Sequence, residues 1–384
     1  MRIALGLYLA WHFAELIPWA KEVFSRSGML PRAELSPLVR AFPSIFVWFD
    51  ETWMVQAALG VAIAASLCFA IGWQDRWSAL LVWYLWAALL VRNPLMRNPS
   101  IPYIGWMLLA HACLPIAAYG SWRARDRVDP GGGWHFPAPL FALAWILMAF
   151  GYSYSGLMKL SSSSWLSGDA LAATLQNPLA RPGWVRDFVL AMPKMFLQVA
   201  SYGVLALELL FAPLAGFRKL RPWLWIAMVA THLGLLLVID FADLTLGMLF
   251  LHAFTFDPAW LRGTAQVARV HYDGNCALCH GFVRFLLSEG PAKIRFKPLE
   301  NPDAQSVLVE TQEGKYLEKS DAVVVALSDC GGIWRLLALV LCTVPRRWRD
   351  AAYSSISSNR YSIFGATKEV CPFLPQSLRE RFDL

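Results

Sequence analysis

Residues 267–280 read Val-Ala-Arg-Val-His-Tyr-Asp-Gly-Asn-Cys-Ala-Leu-Cys-His, and this stretch decides the fold of the C-terminal part of the chain. The β-rich run at residues 267–272 predicts a strand, the next residues predict a turn, and the amphipathic run that follows predicts a helix. Cys276 and Cys279 then lie one turn apart at the start of that helix. Because helix N-terminal amides stabilise a thiolate, Cys276 is the predicted nucleophile and Cys279 the predicted resolving thiol.

A CxxC motif at a helix start is typical of thioredoxin-like redox domains, although it is also half of a zinc site. No second CxxC follows, and the other C-terminal cysteines, Cys330, Cys342 and Cys371, lack paired ligand spacing. The pattern therefore favours redox chemistry, and we expect no metal site. Three roles are open to Asp273, just before Cys276: it raises the thiol pKa, caps the turn, or accepts the proton of a buried thiol.

Further elements are predicted after the CxxC helix. Residues 294–298 predict a second strand and residues 321–327 a third, while residues 334–343 and 346–361 predict helices. This order of elements gives a compact α/β layer.

Several short motifs in this part occur in the order found in one known family. They are Asp273-x-x-Cys276-x-x-Cys279, Ser320-Asp321, Arg349-Asp350-x-x-Tyr353, Asn359-Arg360-Tyr361 and Cys371-Pro372, with Arg379 and Phe382 near the end. Together they resemble the DCC family (DUF393), which is described as thiol-disulfide oxidoreductases. The resemblance covers residues 267–384 and implies a thioredoxin-like fold whose dithiol requires no cofactor.

The resemblance also implies candidate substrate-binding residues. Asn359, Arg360 and Tyr361 are motif residues expected to face the dithiol, and a surface helix end that bonds its own carbonyls is the alternative. Thioredoxins carry a cis-proline immediately before the third strand, where it grips the substrate backbone. Ser320-Asp321 holds that place in the predicted arrangement, so we expect substrate binding to differ from that of thioredoxins.

The composition of the whole chain indicates a membrane protein. Of its 384 residues, 57% are hydrophobic and 16% are charged, which excludes disordered and fibrous classes. The net charge of +7 comes from basic residues scattered between apolar runs. This pattern excludes a nucleic-acid partner and favours the lipid bilayer.

Apolar runs long enough to cross a bilayer occur before residue 262. The clearest are residues 52–73, 77–91, 101–119, 138–158, 195–217 and 222–239, with two less certain runs at 3–20 and 241–256. The predicted fold is therefore an α-helical polytopic bundle of about eight helices over residues 1–262. It is joined to the α/β thioredoxin-like domain over residues 267–384.

Two clusters of basic residues set the predicted orientation. They are Arg123, Arg125 and Arg127, followed by Arg218, Lys219 and Arg221. Cytoplasmic loops carry an excess of Lys and Arg, so the DCC-like domain is predicted to be cytoplasmic in a multi-pass, bacterial-type inner membrane. The odd number of cysteines, seven, fits a reducing compartment.

One segment at the end of an apolar run carries a candidate base. A desolvated amine at the position of Lys159 can act as a base, whereas a snorkelling lysine is the alternative. Gly156-x-x-Lys159-Leu160, Trp165-x-x-Gly168 and Thr231-His232 look like the HTTM domain of vitamin K-dependent gamma-carboxylases. The resemblance covers most of residues 1–260. It implies that Lys159 is a base toward a quinol and makes His232 a candidate for substrate binding.

The sequence leaves three functions open. The favoured one is a membrane-anchored thiol-disulfide oxidoreductase that acts on an unknown thiol or disulfide protein or small molecule. The second is a quinol-dependent, carboxylase- or epoxidase-like enzyme with Lys159 as base, a quinone in the membrane domain and the DCC-like domain as redox partner. The third is a non-catalytic membrane anchor that carries a redox domain.

Overall fold

The computed structural model describes residues 1–240, 242–299, 307–366 and 376–383. The chain divides into two compact units. The first unit comprises Met1–Ile116 and His135–Phe256, and the second comprises Ala117–Trp134 and Asp257–Leu384. The motif Cys371-Pro372 lies outside the described residues.

The first unit is helical in the part of the chain that the structure describes. Its α-helices are α1 (Arg2–Leu16), α2 (Ala20–Phe24), α3 (Thr52–Ile71), α4 (Asp75–Arg92), α5 (Ile101–Cys113), α6 (Ala138–Lys159), α7 (Ser163–Leu166), α8 (Ala170–Gln176), α9 (Trp184–Leu190), α10 (Lys194–Ala215), α11 (Arg221–Val238) and α12 (Ala242–Thr255). Short 3-10 turns occur at Ala33–Leu35, Pro37–Arg40, Ile45–Val47 and Pro94–Met96.

Four of the described helices, α3, α6, α10 and α11, are long and apolar enough to cross a membrane. The sequence-based count of about eight is therefore not matched. Helices α1, α5 and α12 have 15, 13 and 14 residues, fewer than the roughly 20 that a crossing needs. Helix α5 ends early because Leu114 precedes Pro115, and the residue before a proline disfavours helical backbone.

A glycine sets the packing of α6 on α10. A Cβ atom at Gly156 would lie 2.8 Å from the backbone nitrogen of Leu209 in α10. Small residues let two membrane helices approach closely, so the Gly156 of the predicted motif has a packing role. The same approach brings Lys159, one turn further along α6, to Glu208 of α10.

The second unit contains a small mixed sheet. Its strands are β1 (Val267–Tyr272), β2 (Arg295–Pro298), β3 (Leu308–Thr311) and β4 (Tyr316–Glu318), in the spatial order β2-β1-β3-β4. Strands β1 and β2 are parallel, and β3 is antiparallel to both β1 and β4. The helices of this unit are α13 (Ala277–Glu289), α14 (Lys319–Cys330), α15 (Gly332–Thr343), α16 (Arg346–Ser358), α17 (Arg360–Phe364) and α18 (Gln376–Arg379), with 3-10 turns at Trp122–Ala124 and Pro258–Trp260.

The prediction of a third strand at residues 321–327 is wrong, because these residues lie in α14. Short apolar runs do not distinguish a buried strand from a buried helix by periodicity alone. Here tertiary packing decides, since Ala322 and Ala326 join the sheet core while Val324 and Leu327 contact α15. Antiparallel strands β3 and β4 complete the sheet instead.

One face of α13 packs against the sheet and positions the dithiol. Cys279, Val283, Leu286 and Leu287 are buried at helical spacing, in a core that includes Phe296 of β2. Burial of this face turns the side chain of Cys279 inward. The strand β1, the turn and α13 therefore form as the CxxC pattern predicts.

Candidate dithiol site

Cys276 caps the N-terminus of α13. Its Sγ atom accepts a hydrogen bond from the backbone N–H of Cys279 at 3.4 Å. The sulfur thus lies at the positive end of the helix dipole, where negative charge is stabilised. Burial raises the pKa of the Cys279 thiol, and its hydrogen bond to Cys276 adds to this effect. The arrangement places the two sulfurs in unequal environments.

Both thiols are shielded from solvent. The exposed fraction is 0% for Cys276 and 8% for Cys279. The backbone after α17 pairs with the backbone of the first cysteine, since Cys276 forms an isolated antiparallel bridge with Ala366. The N–H of Ala277 donates to the carbonyl of Gly365 at 3.3 Å. We call Gly365–Ala366 the cover segment.

Asp273 is buried and accepts several hydrogen bonds. Its Oδ1 atom accepts from the backbone N–H of Asn275 at 2.9 Å, and its Oδ2 atom accepts from Arg360 Nη2 at 3.1 Å and from the Tyr361 hydroxyl. Burial alone would raise the pKa of Asp273, but the hydrogen bonds from Tyr361, Asn275 and Arg360 outweigh it and lower the pKa. The carboxylate therefore caps the turn, and its lowered pKa makes it a weak proton acceptor.

The three motif residues near α17 lie in different places. The side chains of Arg360 and Tyr361 reach Asp273 and thereby join α17 to the turn before Cys276. The hydrogen bond to Asp273 also raises the pKa of Tyr361. Asn359 is exposed, and its side chain donates to the carbonyl of Ser355 in its own helix.

Two further DCC-like motifs, Ser320-Asp321 and Arg349-Asp350-x-x-Tyr353, hold α14 and α16 together. Ser320 donates through Oγ to Asp350 at 2.5 Å, and Arg349 pairs with Asp321 at 3.3 Å. Ser320-Asp321 therefore does not occupy the place before the third strand, contrary to the predicted arrangement.

Val307 precedes β3 and takes the position that Ser320-Asp321 was predicted to hold. Its N–H donates to the Tyr353 hydroxyl at 2.9 Å. The Arg349-Asp350-x-x-Tyr353 motif thus links α16 both to the start of α14 and to the start of β3. The position of Tyr353 within this motif is the signal in the sequence that points to its contact with the start of β3.

Lys159 and His232 belong to separate polar clusters in the first unit. Lys159 forms an ion pair with Glu208 and lies 4.7 Å from the centre of the Trp165 ring. The Tyr152 hydroxyl contacts Nε2 of His232 at 2.8 Å and Nε2 of His252 at 2.7 Å. Sequence reasoning missed Tyr152, because a tyrosine in an apolar run carries no distinguishing signal.

The site has the form of a dithiol redox centre. Two cysteines lie at the start of a helix that follows the first strand of a small mixed sheet. An acidic residue caps the turn between this strand and this helix. Among the described residues, no group of three or more His, Cys, Asp or Glu side chains could hold a metal ion. The fold and site therefore define a domain of the thiol-disulfide oxidoreductase class.

Comparison with known proteins identifies the family. Residues 270–366 match the family described as DCC1-like thiol-disulfide oxidoreductase. The chain is 33% identical over 125 residues to the uncharacterized protein YuxK of Bacillus subtilis, covering 29% of this chain and 90% of that protein. Through its C-terminal unit, the chain belongs to the DCC1-like thiol-disulfide oxidoreductase family.

A second relative is a chloroplastic DCC family protein of Arabidopsis thaliana. It is 30% identical over 108 residues, which cover 24% of this chain and 63% of that protein. No solved structure matches the chain significantly. The comparisons do not support the resemblance of residues 1–260 to the HTTM domain, and the family match lies at residues 270–366.

Proposed function

We propose that the protein is a membrane-anchored thiol-disulfide oxidoreductase that uses Cys276 and Cys279. The thiolate of Cys276 attacks one sulfur of a substrate disulfide, which breaks the substrate S–S bond and forms a mixed disulfide. The released substrate sulfur takes up a proton. Cys279 then loses its proton and attacks the sulfur of Cys276, which forms the Cys276–Cys279 disulfide and frees the second substrate thiol. The reverse sequence oxidises a substrate dithiol.

One observation carries this proposal: Cys276 caps α13 and accepts the N–H of Cys279. The cap position places the Cys276 sulfur at the positive end of the α13 dipole. The raised pKa of Cys279 keeps this thiol protonated until a mixed disulfide forms. The two cysteines are thus suited to act in sequence, first as nucleophile and then as resolving thiol.

The cover segment defines the route of the substrate. Cys276 has no exposed surface and pairs with Ala366. A substrate sulfur needs access to the buried Cys276 sulfur, and we propose that Gly365–Ala366, which pairs with the backbone beside it, moves aside. We propose that an extended substrate segment replaces the Ala366 bridge beside Cys276, as strands do when they add to an exposed edge.

The first unit supports the membrane anchor, because α3, α6, α10 and α11 are long and apolar enough to cross a bilayer. The arginines Arg123, Arg125 and Arg127 lie in Ala117–Trp134, which belongs to the same unit as the dithiol. Basic loops face the cytoplasm. We therefore propose a bacterial-type inner membrane with the dithiol on the cytoplasmic side.

The test is capture of a mixed disulfide in the full chain. Cys279→Ser removes the resolving thiol, so the substrate should remain attached to Cys276 and appear as a higher-mass species that a reductant releases. Cys342→Ser is the matched control, because Cys342 is an exposed cysteine of the same unit outside the dithiol. Equal trapping by both variants, or trapping that persists in Cys276→Ser/Cys279→Ser, would refute dithiol chemistry at this site.

The quinol-dependent alternative remains a separate prediction for the first unit. Lys159 is paired with the buried carboxylate of Glu208. Such a pair joins two membrane helices and supports an anchoring role for the bundle. A quinone requirement of the membrane domain is tested by the Lys159 variants below.

A further inference from the structure

A pocket in the first unit, which we call the His12 pocket, has the features of a ligand site. It is a half-open cleft, and its walls border about 440 Å³ of space that includes solvent at its mouth. Much of its wall is apolar and is formed by Leu16, Phe24, Trp86, Leu89, Leu90 and Ile101. Three polar residues, His12, Asn98 and Asp243, also line it. An apolar pocket with a few convergent polar groups is the usual form of a small-molecule site.

His12 and Asp243 form a carboxylate–histidine pair at the pocket. Asp243 Oδ1 accepts from His12 Nδ1 at 3.1 Å and from the Tyr8 hydroxyl at 3.0 Å. A carboxylate only accepts hydrogen bonds, so in the neutral form of the imidazole the proton lies on Nδ1 and Nε2 is an acceptor. Among the described residues, His12 Nε2 has no hydrogen-bond partner. It is therefore available to a ligand.

Asn98 supplies a donor to the same pocket. Its Oδ1 atom accepts from the backbone N–H of Ser100 at 2.9 Å and from the Ser100 hydroxyl at 2.6 Å. These bonds fix the orientation of the amide and assign the other atom as the NH₂ group. Asn98 Nδ2 has no hydrogen-bond partner in the part of the chain that the structure describes. The pocket thus offers one acceptor and one donor.

We propose that the His12 pocket binds an apolar molecule through one hydroxyl group, which donates to His12 Nε2 and accepts from Asn98 Nδ2. A hydroxyl group is the small group that both donates and accepts, and the apolar wall takes the ring or chain that carries it. Asp243 is a positioning residue, because it holds the imidazole in the tautomer that accepts. The ligand class is a membrane-dissolved phenol or alcohol, which goes beyond the thiol-disulfide function.

A purely structural role for the polar residues explains less. Polar side chains that only join helices use their hydrogen-bonding atoms on each other. The contacts from Tyr8 and His12 to Asp243 do join α1 to α12. They leave the second nitrogen of His12 and the amide nitrogen of Asn98 unused beside empty space. Ligand binding accounts for both of these atoms.

The test compares a phenol with its methyl ether. Tritiated 4-hexylphenol and 4-hexylanisole are titrated against the full chain in lipid nanodiscs, with empty nanodiscs as the partition control. The two probes share an apolar body, but the ether cannot donate to His12. A hydrogen bond to a pocket acceptor predicts that the phenol binds about tenfold more tightly. In His12→Phe this preference should disappear, while the affinity for the ether stays the same.

A matched pair of variants keeps the test decisive if His12→Phe fails to fold. Met96 lines the pocket, whereas its exposed neighbour Leu95 in the same 3-10 turn does not. Met96→Trp should weaken both probes at least tenfold, and Leu95→Trp should weaken neither. Equal affinity for the two probes in the wild-type chain, absence of saturable binding, or equal effects of the two tryptophans would overturn the proposal.

Discussion

Removal of the Arg360 guanidinium, which pairs with Asp273, should destabilise the region around the dithiol. Arg360→Met leaves the Asp273 carboxylate buried without its ion partner. In the wild-type pair the side chain of Arg360 is 10% exposed and that of Asp273 is 5% exposed. Breaking a buried pair by removing one partner costs about 3–5 kcal/mol. Asp273 keeps its hydrogen bonds from Asn275 and Tyr361, so we expect the lower end, about 3 kcal/mol.

Hydrogen exchange of the full chain measures this loss locally. Where exchange reports the opening equilibrium, about 3 kcal/mol corresponds to roughly 150-fold faster exchange. The effect should appear in peptides that span β1 and α13. Arg346→Met is the matched control, because Arg346 pairs with Asp321 at the surface with its side chain 66% exposed. Such exposed pairs contribute about 0–1 kcal/mol, so exchange should change less than about fivefold.

The pH dependence gives an independent check. In the wild-type chain the pKa of Asp273 is lowered by folding. Its contribution to stability is therefore fully present above the pKa of the unfolded state and is lost as the pH falls through the pKa of the folded state. Loss of Arg360 removes one of the contacts that lower the pKa of Asp273, so this pKa rises relative to the wild-type chain, and protonation then removes the unpaired charge. The extra exchange in Arg360→Met should therefore shrink as the pH is lowered toward the pKa of Asp273 in the variant.

A double-mutant cycle separates the ion pair from general damage. In the Asp273→Asn background, Arg360→Met should cost much less than it does alone, because no buried carboxylate is left uncompensated. An increase in exchange below about fivefold for Arg360→Met, or an equal increase in both backgrounds, would refute the reasoning.

Three further predictions concern the thiols, the topology and the membrane lysine. Cys276 should be alkylated before Cys279, because the raised pKa of Cys279 keeps that thiol protonated near neutral pH. Both should react more slowly than the exposed Cys342, and mass spectrometry of timed samples checks this order. A reporter that is active only in the periplasm, fused after the last residue, should give no signal, and a strong signal would reverse the proposed orientation. If Lys159 is a base, Lys159→Met should abolish any quinol-dependent turnover and leave Cys276 alkylation unchanged, and Lys159→Arg should not restore the turnover. Wild-type turnover in both Lys159 variants and in Glu208→Gln would show that Lys159 has a structural role.

The sequence predicts the dithiol region well because its signals are local. A strand, a turn and an amphipathic helix each follow from the spacing of neighbouring residues, and the structure has β1, the turn at Asp273 and α13 in that order. The run at 321–327 is different, because its β-branched residues suit a strand while its packing partners in the core select a helix. Contacts between distant segments decide such cases.

Long-range partners are the features that the sequence does not predict. Nothing near Lys159 identifies Glu208, which lies 49 residues further along the chain. The bridge from Cys276 to Ala366 is isolated and has no strand pattern around it. The predicted number of membrane-crossing helices is too high for another reason. Runs of apolar residues continue past the ends of helices, as at Leu114, so hydropathy overstates helix length.

The contacts of Asp273 bear on how a buried nucleophile reacts. Arg360 and Tyr361 begin the short helix that leads to the cover segment, and both donate to the carboxylate that precedes Cys276. The turn before the proposed nucleophile and the helix that leads to the cover segment are therefore held together by the same bonds. Hydrogen bonds to a charged group contribute about 1.5–3 kcal/mol each. Opening of the cover with these bonds intact requires motion beyond α17, at Gly365, which already has a φ of +81°. On the proposed replacement of the bridge to Ala366, a substrate needs an extended backbone beside Cys276. We therefore expect peptide-like disulfides to react with the dithiol faster than small-molecule disulfides.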